Sequence, residues 1–343
     1  MNNYSLSNKY GNSKKIINNV IKKEETVMRN TFLKFVTLLA FGFSTLISGN
    51  ALAHDNKQYT IGFAAANLQA DFFNFIKESV EAETARLGHK SIVVDSGGDD
   101  AKQVSQIEDL LVKQIDALVL IISGNTDGNA QIRKAKEAGI PVITVDRNTT
   151  NPPGDSFIAS DSEVAAYEMG MWVAEKTGGK GVVGVIQGQL GSTPEIARDT
   201  GFENAIAQFP DLNTVEKQAS KMWSRDEGVS IAQDLLTRNP EITVLFGRCD
   251  ALAQGAAQAA KAMGRDDVLV VGFDGDRAAL QDLKNNNTLL AATMTQQTLT
   301  IGRNAVRFAI DAIEGRYIPS EMLYGSTLTT PENVDQFMGD GHP

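Results

Sequence analysis

The amino-acid sequence predicts an α/β protein of two doubly wound parallel-sheet lobes joined by a hinge. Three observations carry this. Short runs that are apolar at every position, such as 117–122 (ALVLII), alternate with amphipathic stretches; strands apolar on both faces belong to parallel sheets covered by helices. The alternation runs through 59–145, breaks near Ser160-Asp161 and then resumes. The chain has 343 residues, 42% apolar and 22% charged, an ordinary globular composition with length for two domains.

The elements follow in order. Residues 59–64 (YTIGFA) read as a strand, and 72–87 as a helix ended by Gly88. Residues 91–95 (SIVVD) form the next strand, 101–113 a helix, and 117–122 the third strand. A helix over 130–138 closes at Gly139, and the strand 141–145 leads into Asp146-Arg147. After the break, Asp161 or Ser162 caps a helix that runs to Lys176 and stops at Gly178-Gly179. Strands follow at 182–186, 214–218, 244–246, 268–272 and 290–294. Helices lie between them at 195–208, 226–238, 251–263 and 276–285, and one more covers 299–314. The expected lobes are 54–160 plus 297–325 and 161–296 plus 326–343, with hinges near Ser160-Asp161 and Gln296-Gln297.

Residues 28–53 read as an export signal. A positive stretch from Met28 through Arg29 and Lys34 precedes a charge-free apolar run over 35–47, and Ala51-Leu52-Ala53 gives an Ala-x-Ala site before His54. The apolar run falls short of the ~20 residues of a membrane span. No Cys follows the site, so no lipid anchor is expected. Residues 1–27, rich in Asn and Lys, read as an untranslated leader ahead of a start at Met28, or as a disordered extension. Expected localisation is the periplasm.

Charge narrows the function classes. The whole chain carries −10, but residues 1–53 hold seven Lys/Arg against two acids, so the remainder has 25 basic and 40 acidic groups, a balance of −15. A surface of that sign opposes nucleic acid as a partner. One cysteine, Cys249, excludes an intrachain disulfide and a cysteine-built zinc site. Three histidines, no G-x-S-x-G elbow and no Walker or G-x-G-x-x-G pattern speak against an enzyme. Asp95, Asp99 and Asp100 lack calcium-loop spacing. No metal or cofactor is expected, and Cys249 reads as a small buried residue rather than a nucleophile.

Ligands of such sheets bind beyond the carboxyl ends of the strands. The expected strand ends bring together Asn67 to Phe73, Ile122 to Asn125, Asp146-Arg147, Gly188 to Thr193, Trp223, Arg248 to Asp250, Asp274 and Gln296. Aromatic faces cover the apolar faces of sugar rings, and carboxylates and arginines serve neighbouring hydroxyls. Trp172, inside a helical pattern, reads as packing.

The stretches Ile140-Pro141-Val142-Ile143-Thr144-Val145-Asp146-Arg147 and Val270-Val271-Gly272-Phe273-Asp274-Gly275 resemble signatures of the type I periplasmic sugar-binding proteins, the ribose-binding proteins in particular. The similarity runs through 57–325 and takes in Phe72-Phe73, Ile158-Ala159-Ser160-Asp161, 191–202 and 250–256 (DALAQGA). The resemblance implies that Phe72 or Phe73 stacks on a sugar from the first lobe, the other being core. Asp146 and Arg147 bind hydroxyls, and Trp223 closes the sandwich from the second lobe. Asp274 and Gln296 bind hydroxyls from that lobe. Arg198 joins the candidate set, although its distance from Gly201-Phe202 also fits a structural arginine, and Cys249 joins at a position polar in the ribose pattern. Ile121, Ile196 and Cys249 stand where that pattern is polar, which implies that ribose is not the best ligand and that a neutral monosaccharide, polyol or cyclitol such as myo-inositol fits better. The implied partner is an ABC importer permease, with a chemoreceptor as a second reader and a monomeric state. The competing readings are a secreted α/β enzyme acting on sugars and a repressor-like sugar sensor.

The export signal makes a direct prediction: amino-terminal sequencing of the periplasmic protein gives His54 as first residue, and a mature start before Met28 contradicts it.

Overall fold

The computed structural model describes residues 57–127 and 130–339. The export signal and its cleavage site lie outside the described residues. Twelve strands and nine α-helices are described, in two sheets.

The first sheet starts with β1 (Thr60–Ala65), α1 (Asp71–Arg86), β2 (Lys90–Asp95), α2 (Asp100–Val112), β3 (Ala117–Leu120), α3 (Ala130–Glu137), β4 (Val142–Val145) and β5 (Ser156–Ser160). The chain then crosses to α4 (Ser162–Thr177), β6 (Lys180–Gln187), α5 (Thr193–Ile206), β7 (Asp211–Ala219), α6 (Arg225–Arg238), β8 (Val244–Gly247), α7 (Asp250–Ala262), β9 (Leu269–Val271), α8 (Arg277–Asn285) and β10 (Leu290–Thr295). It crosses back to α9 (Thr298–Ile313) and β11 (Glu321–Tyr324), and a third time to β12 (Thr327–Thr329). The sheet orders are β11-β5-β4-β3-β1-β2 and β12-β10-β9-β8-β6-β7. All pairings are parallel except that of β12 with β10.

The unbroken apolar runs have a two-sided explanation. Ala117, Val119 and Ile121 pack with Ile76 and Val80 of α1 and Ile301 and Ala305 of α9. Leu118, Leu120 and Ile122 face Ile107 and Leu110 of α2 and Ile132 and Ala135 of α3. Side chains alternate along a strand, so a strand covered on both faces must be apolar throughout. The second lobe repeats this: Val244 and Phe246 face α4 and α5, and Leu245 faces α6 and α7. Helix ends follow local chemistry. The Asp161 carboxylate accepts from Val164 N at 3.2 Å, and Gly178 takes a left-handed φ of 63° at the end of α4.

Three strands depart from the sequence expectation. Residues 158–160 form part of β5 before the crossing. The short, half-exposed β11 and β12 were without an apolar run to mark them; each borders its sheet at an edge, where only one neighbour needs covering. The Asp95 and Asp99 cluster is structural. Asp95 accepts from Leu68 N and Gly97 N, and Asp99 caps α2 through Lys102 N.

The three crossings lie together. Asp161 N donates to Tyr324 O at 2.8 Å, and Gln297 Nε2 to Gly325 O at 2.9 Å. Elsewhere in the first lobe, the nearly buried Glu83 of α1 accepts from Arg86 Nε and Nη2 at 2.7 Å and from Arg307 Nε of α9 at 2.8 Å. The Arg86 bonds, with those of Arg307, hold its carboxyl at about 2 against the opposing push of burial. A carboxyl lowered on folding stabilises above its ordinary range, and that stability is lost as pH falls through the folded value. Glu83→Gln is therefore expected to cost about 2 kcal/mol at pH 7, after allowance for screening of its half-exposed arginine partners. The gap between wild type and variant in denaturant unfolding should close between pH 4.5 and about 2. A gap unchanged at pH 2 contradicts this.

Candidate functional site

The carboxyl ends of both sheets face one cavity of about 280 Å³ between the lobes. Pockets for drug-sized ligands run to ~300–1,000 Å³, so this one suits a single small ring or short polyol. Its lining includes Phe72, Phe73, Asp146, Arg147, Arg198, Trp223, Cys249 and Asp274, eight of the nine residues singled out in the sequence.

The first lobe contributes from the start of α1 and the end of β4. Phe72 and Phe73 are both 6% exposed and both line the cavity, with rings edge to face at 5.4 Å. Neither is purely core. The Arg147 guanidinium lies 5.4 Å from the Phe73 ring. Its Nη1 donates to Ile122 O at 3.1 Å, Ser123 O at 3.4 Å and, across the cleft, Gln189 Oε1 at 3.1 Å. Its buried Nε stands 3.5 Å from Asp146 Oδ2 and makes no hydrogen bond. Gln103 braces the loop that receives Arg147. Its Nε2 donates to Ala65 O and Ile121 O, and its Oε1 accepts from Ser123 N and Oγ.

The second lobe answers with a matching pair. Arg198 of α5 donates through Nη2 to Asp274 Oδ1 at 3.2 Å and through Nη1 to Arg248 O. The fully buried Arg248 returns the bond, its Nη1 donating to Arg198 O at 2.5 Å. Arg198 is thus both gripped by its backbone and presented to the cavity. The Trp223 ring lies 5.9 Å from Arg147 and 5.8 Å from Arg198, and its buried Nε1 has no partner. The tryptophan also explains Gly188: a Cβ there would meet the indole ring at 1.9 Å. Cys249, at the start of α7, sits with its Sγ 3.5 Å from Trp223 O; burial, reinforced by Asp274, pushes its thiol well up.

Electrostatics is dominated by burial. Burial raises the Asp274 carboxyl to about 7, Arg198 pulls it down, and Asp146 pushes it up. Burial also raises Asp146, against the lowering charges of Arg147 and Arg198. Backbone strain coincides with these positions: φ is 61° at Asp146, 58° at Trp223 and 124° at Asp274. Left-handed φ at non-glycine residues costs energy and clusters at functional positions.

Three expectations need correction. Gln296 is 1% exposed and does not line the cavity; its Nε2 donates to Asp274 Oδ1 at 2.7 Å, so it acts on the aspartate. Ile121 is buried in the first lobe's core, and Ile196 is half exposed on α5; neither lines the cavity. The argument from three less polar positions therefore keeps only Cys249. Sequence reasoning missed Arg225, Gln254 and Asp276, which line the cavity. Asp276 was legible as the residue two after Asp274 in the same strand-end turn. Gln254, one helical turn beyond Asp250, was legible by its spacing.

A model of the periplasmic binding protein domain matches residues 61–316. The chain belongs to the periplasmic binding protein family. A ribose import binding protein of Bacillus subtilis is 32% identical over 264 residues, which are 77% of this chain and 85% of that one. Among solved structures, an ABC transporter solute-binding protein from Mycobacterium smegmatis with bound glycerol superposes with a TM-score of 0.78 at 27% identity. It is covered to 99%, against 83% of this chain. A counterpart from Bacillus halodurans with bound myo-inositol superposes with a TM-score of 0.77 at 27% identity and the same coverage of each chain. This binding protein therefore has the type I fold of the sugar and polyol solute-binding proteins of ABC transporters. Family members are transport components rather than enzymes.

Proposed function

We propose that the protein captures a neutral monosaccharide, polyol or cyclitol in the cavity between its lobes and hands it to an ABC importer from the periplasm. One observation carries the reading: two buried Arg–Asp pairs, one from each lobe, face a cavity walled by Phe72, Phe73 and Trp223. Arg147 and Arg198 are each matched by an aspartate, and the exposed Arg225 shares the lining with Asp71 and Asp276, so the cavity offers donors and acceptors without a net positive charge for a phosphate. Hydroxyls suit this, since a vicinal pair can accept from a guanidinium and donate to a carboxylate at once. Aromatic walls take the apolar ring faces. Arg147 Nε and Trp223 Nε1, buried without partners, are donors that ligand oxygens would satisfy.

The same reading includes a monomer that presents its closed lobes to the permease and, as a second reader, a chemoreceptor. Cys249 in the wall leaves a ribose hydroxyl without a strong partner at ~1–3 kcal/mol. On that single residue, ribose ranks in this reading behind a neutral polyol or cyclitol such as myo-inositol, or another pentose or hexose.

The test is isothermal titration of ribose, xylitol and myo-inositol into wild type, Arg147→Ala and Asp274→Ala. Each substitution removes a charge-assisted bond and strands its partner, for an expected loss of ~1.5–3 kcal/mol, about tenfold to a hundredfold in affinity. Circular dichroism should report an intact fold. Near-normal affinity in both variants would show that the ligand binds elsewhere.

A further inference from the structure

Asp276 differs from the other buried carboxylates of the cavity. Asp146 has Arg147, and Asp274 has Arg198 and Gln296. Asp276 lines the cavity at 8% exposure, yet among the described residues its carboxyl group has no hydrogen-bond or ion-pair partner. Only its backbone is engaged: the N–H donates to Asp250 Oδ2 at 2.8 Å, and the C=O accepts from Leu280 N at 2.9 Å. It precedes α8 without capping it. Gln254 beside it is committed to Asp282, its Nε2 donating to Oδ2 at 2.7 Å. Its charged surroundings are mainly acidic, namely Asp274, Asp250 and, from the first lobe, Asp71, with Arg198 the weakest of the four influences.

The Asp276 oxygens are not among the fully buried orphan atoms; the residue is largely covered while its carboxyl group opens into the cavity, where an acceptor without a protein partner can take a ligand donor. Nothing in the fold requires such an acceptor here, since the carboxylate braces no turn and caps no helix. The side chain shares the cavity lining with Asp71 and Ala278 as well as with Arg147 and Arg198, whose guanidinium groups lie near the Phe73 and Trp223 rings. We infer that Asp276 is a specificity-determining ligand contact, accepting a hydrogen bond from a donor that the ligand carries beyond the hydroxyls held by the two Arg–Asp pairs. The ligand class is a six-carbon sugar or cyclitol, or its amino-substituted form, rather than a pentose. This rests on the sugar or polyol reading proposed above and refines it. Sites built to receive a donor reject the analogue lacking it far more strongly than apolar walls reject a missing methylene.

The experiment uses the mature protein and four probes: ribose, allose, myo-inositol and glucosamine. Allose is ribose lengthened by a hydroxymethyl carbon, and glucosamine tells an ammonium donor from a hydroxyl. Affinities are measured for wild type, Asp276→Ala and Asp276→Asn, with thermal melts of the empty proteins to confirm folding. Wild type is expected to bind at least one six-carbon probe about tenfold or more tighter than ribose, and Asp276→Ala to lower that ratio by about tenfold. If the donor is a hydroxyl, Asp276→Asn retains part of the preference through its carbonyl oxygen. If it is the ammonium of glucosamine, Asp276→Asn loses as much as Asp276→Ala. Either pattern supports the assignment. A ratio unchanged in Asp276→Ala, or a wild-type preference for ribose, overturns it alone. Wild-type binding of none of the four probes overturns the proposed function together with it.

Discussion

The structure depends on holding four buried charges in balance where the two sheets meet. Asp146, Arg147, Arg198 and Asp274 are each at most 7% exposed. Isolated, any of them would carry a large desolvation penalty. They are tolerable because each lobe brings its own acid and base, so that neither of these pairs depends on the other lobe. Much of the surrounding architecture serves this balance. Gln103 fixes the loop that accepts from Arg147, Arg248 grips the backbone beneath Arg198, and Gln296 orients Asp274. The strained backbone at Asp146 and Asp274 is affordable only because these supports over-determine it.

Among the described residues, polar bonds connect the lobes across the cleft. Arg147 reaches Gln189, Asn148 N donates to Thr193 Oγ1, and Thr126 N donates to Gly191 O. Such bonds exchange readily with water on opening, for a net of ~0.5–1.5 kcal/mol each. On the proposed function, a ligand would set the balance between open and closed lobes. A molecule that touched Arg147 and Arg198 at once would shift the population by its differential affinity for the closed state. The crossings after Ser160, after Thr295 and between Tyr324 and Thr327 lie side by side, which permits rotation of one lobe against the other.

The sheets were legible because parallel strands must be apolar on both faces, and the run 117–122 could hardly be anything else. The edge strands β11 and β12 had no such constraint and left no signal. Asp146, Arg147, Trp223 and Asp274 could be placed at the cavity because strand ends converge there. Distances along the chain do not reveal which way a side chain turns. That is why Ile121 and Ile196 were assigned to the wall although one faces core and the other solvent, and why Gln296 was taken for a contact rather than a brace. The pairing of Arg248 with Arg198, fifty residues apart, is a tertiary property with no local trace.

The chain has only two tryptophans, Trp172 and Trp223, which allows a direct measurement. Trp223 borders the cavity, whereas Trp172 lies on α4 beside Lys176 in the second lobe. Fluorescence titration of Trp172→Phe and Trp223→Phe with ribose, xylitol and myo-inositol separates the two indoles. The account predicts a saturable change in emission in Trp172→Phe, where Trp223 is the sole reporter, and no such change in Trp223→Phe. A signal that persists in Trp223→Phe and vanishes in Trp172→Phe would place binding outside the cleft and contradict it.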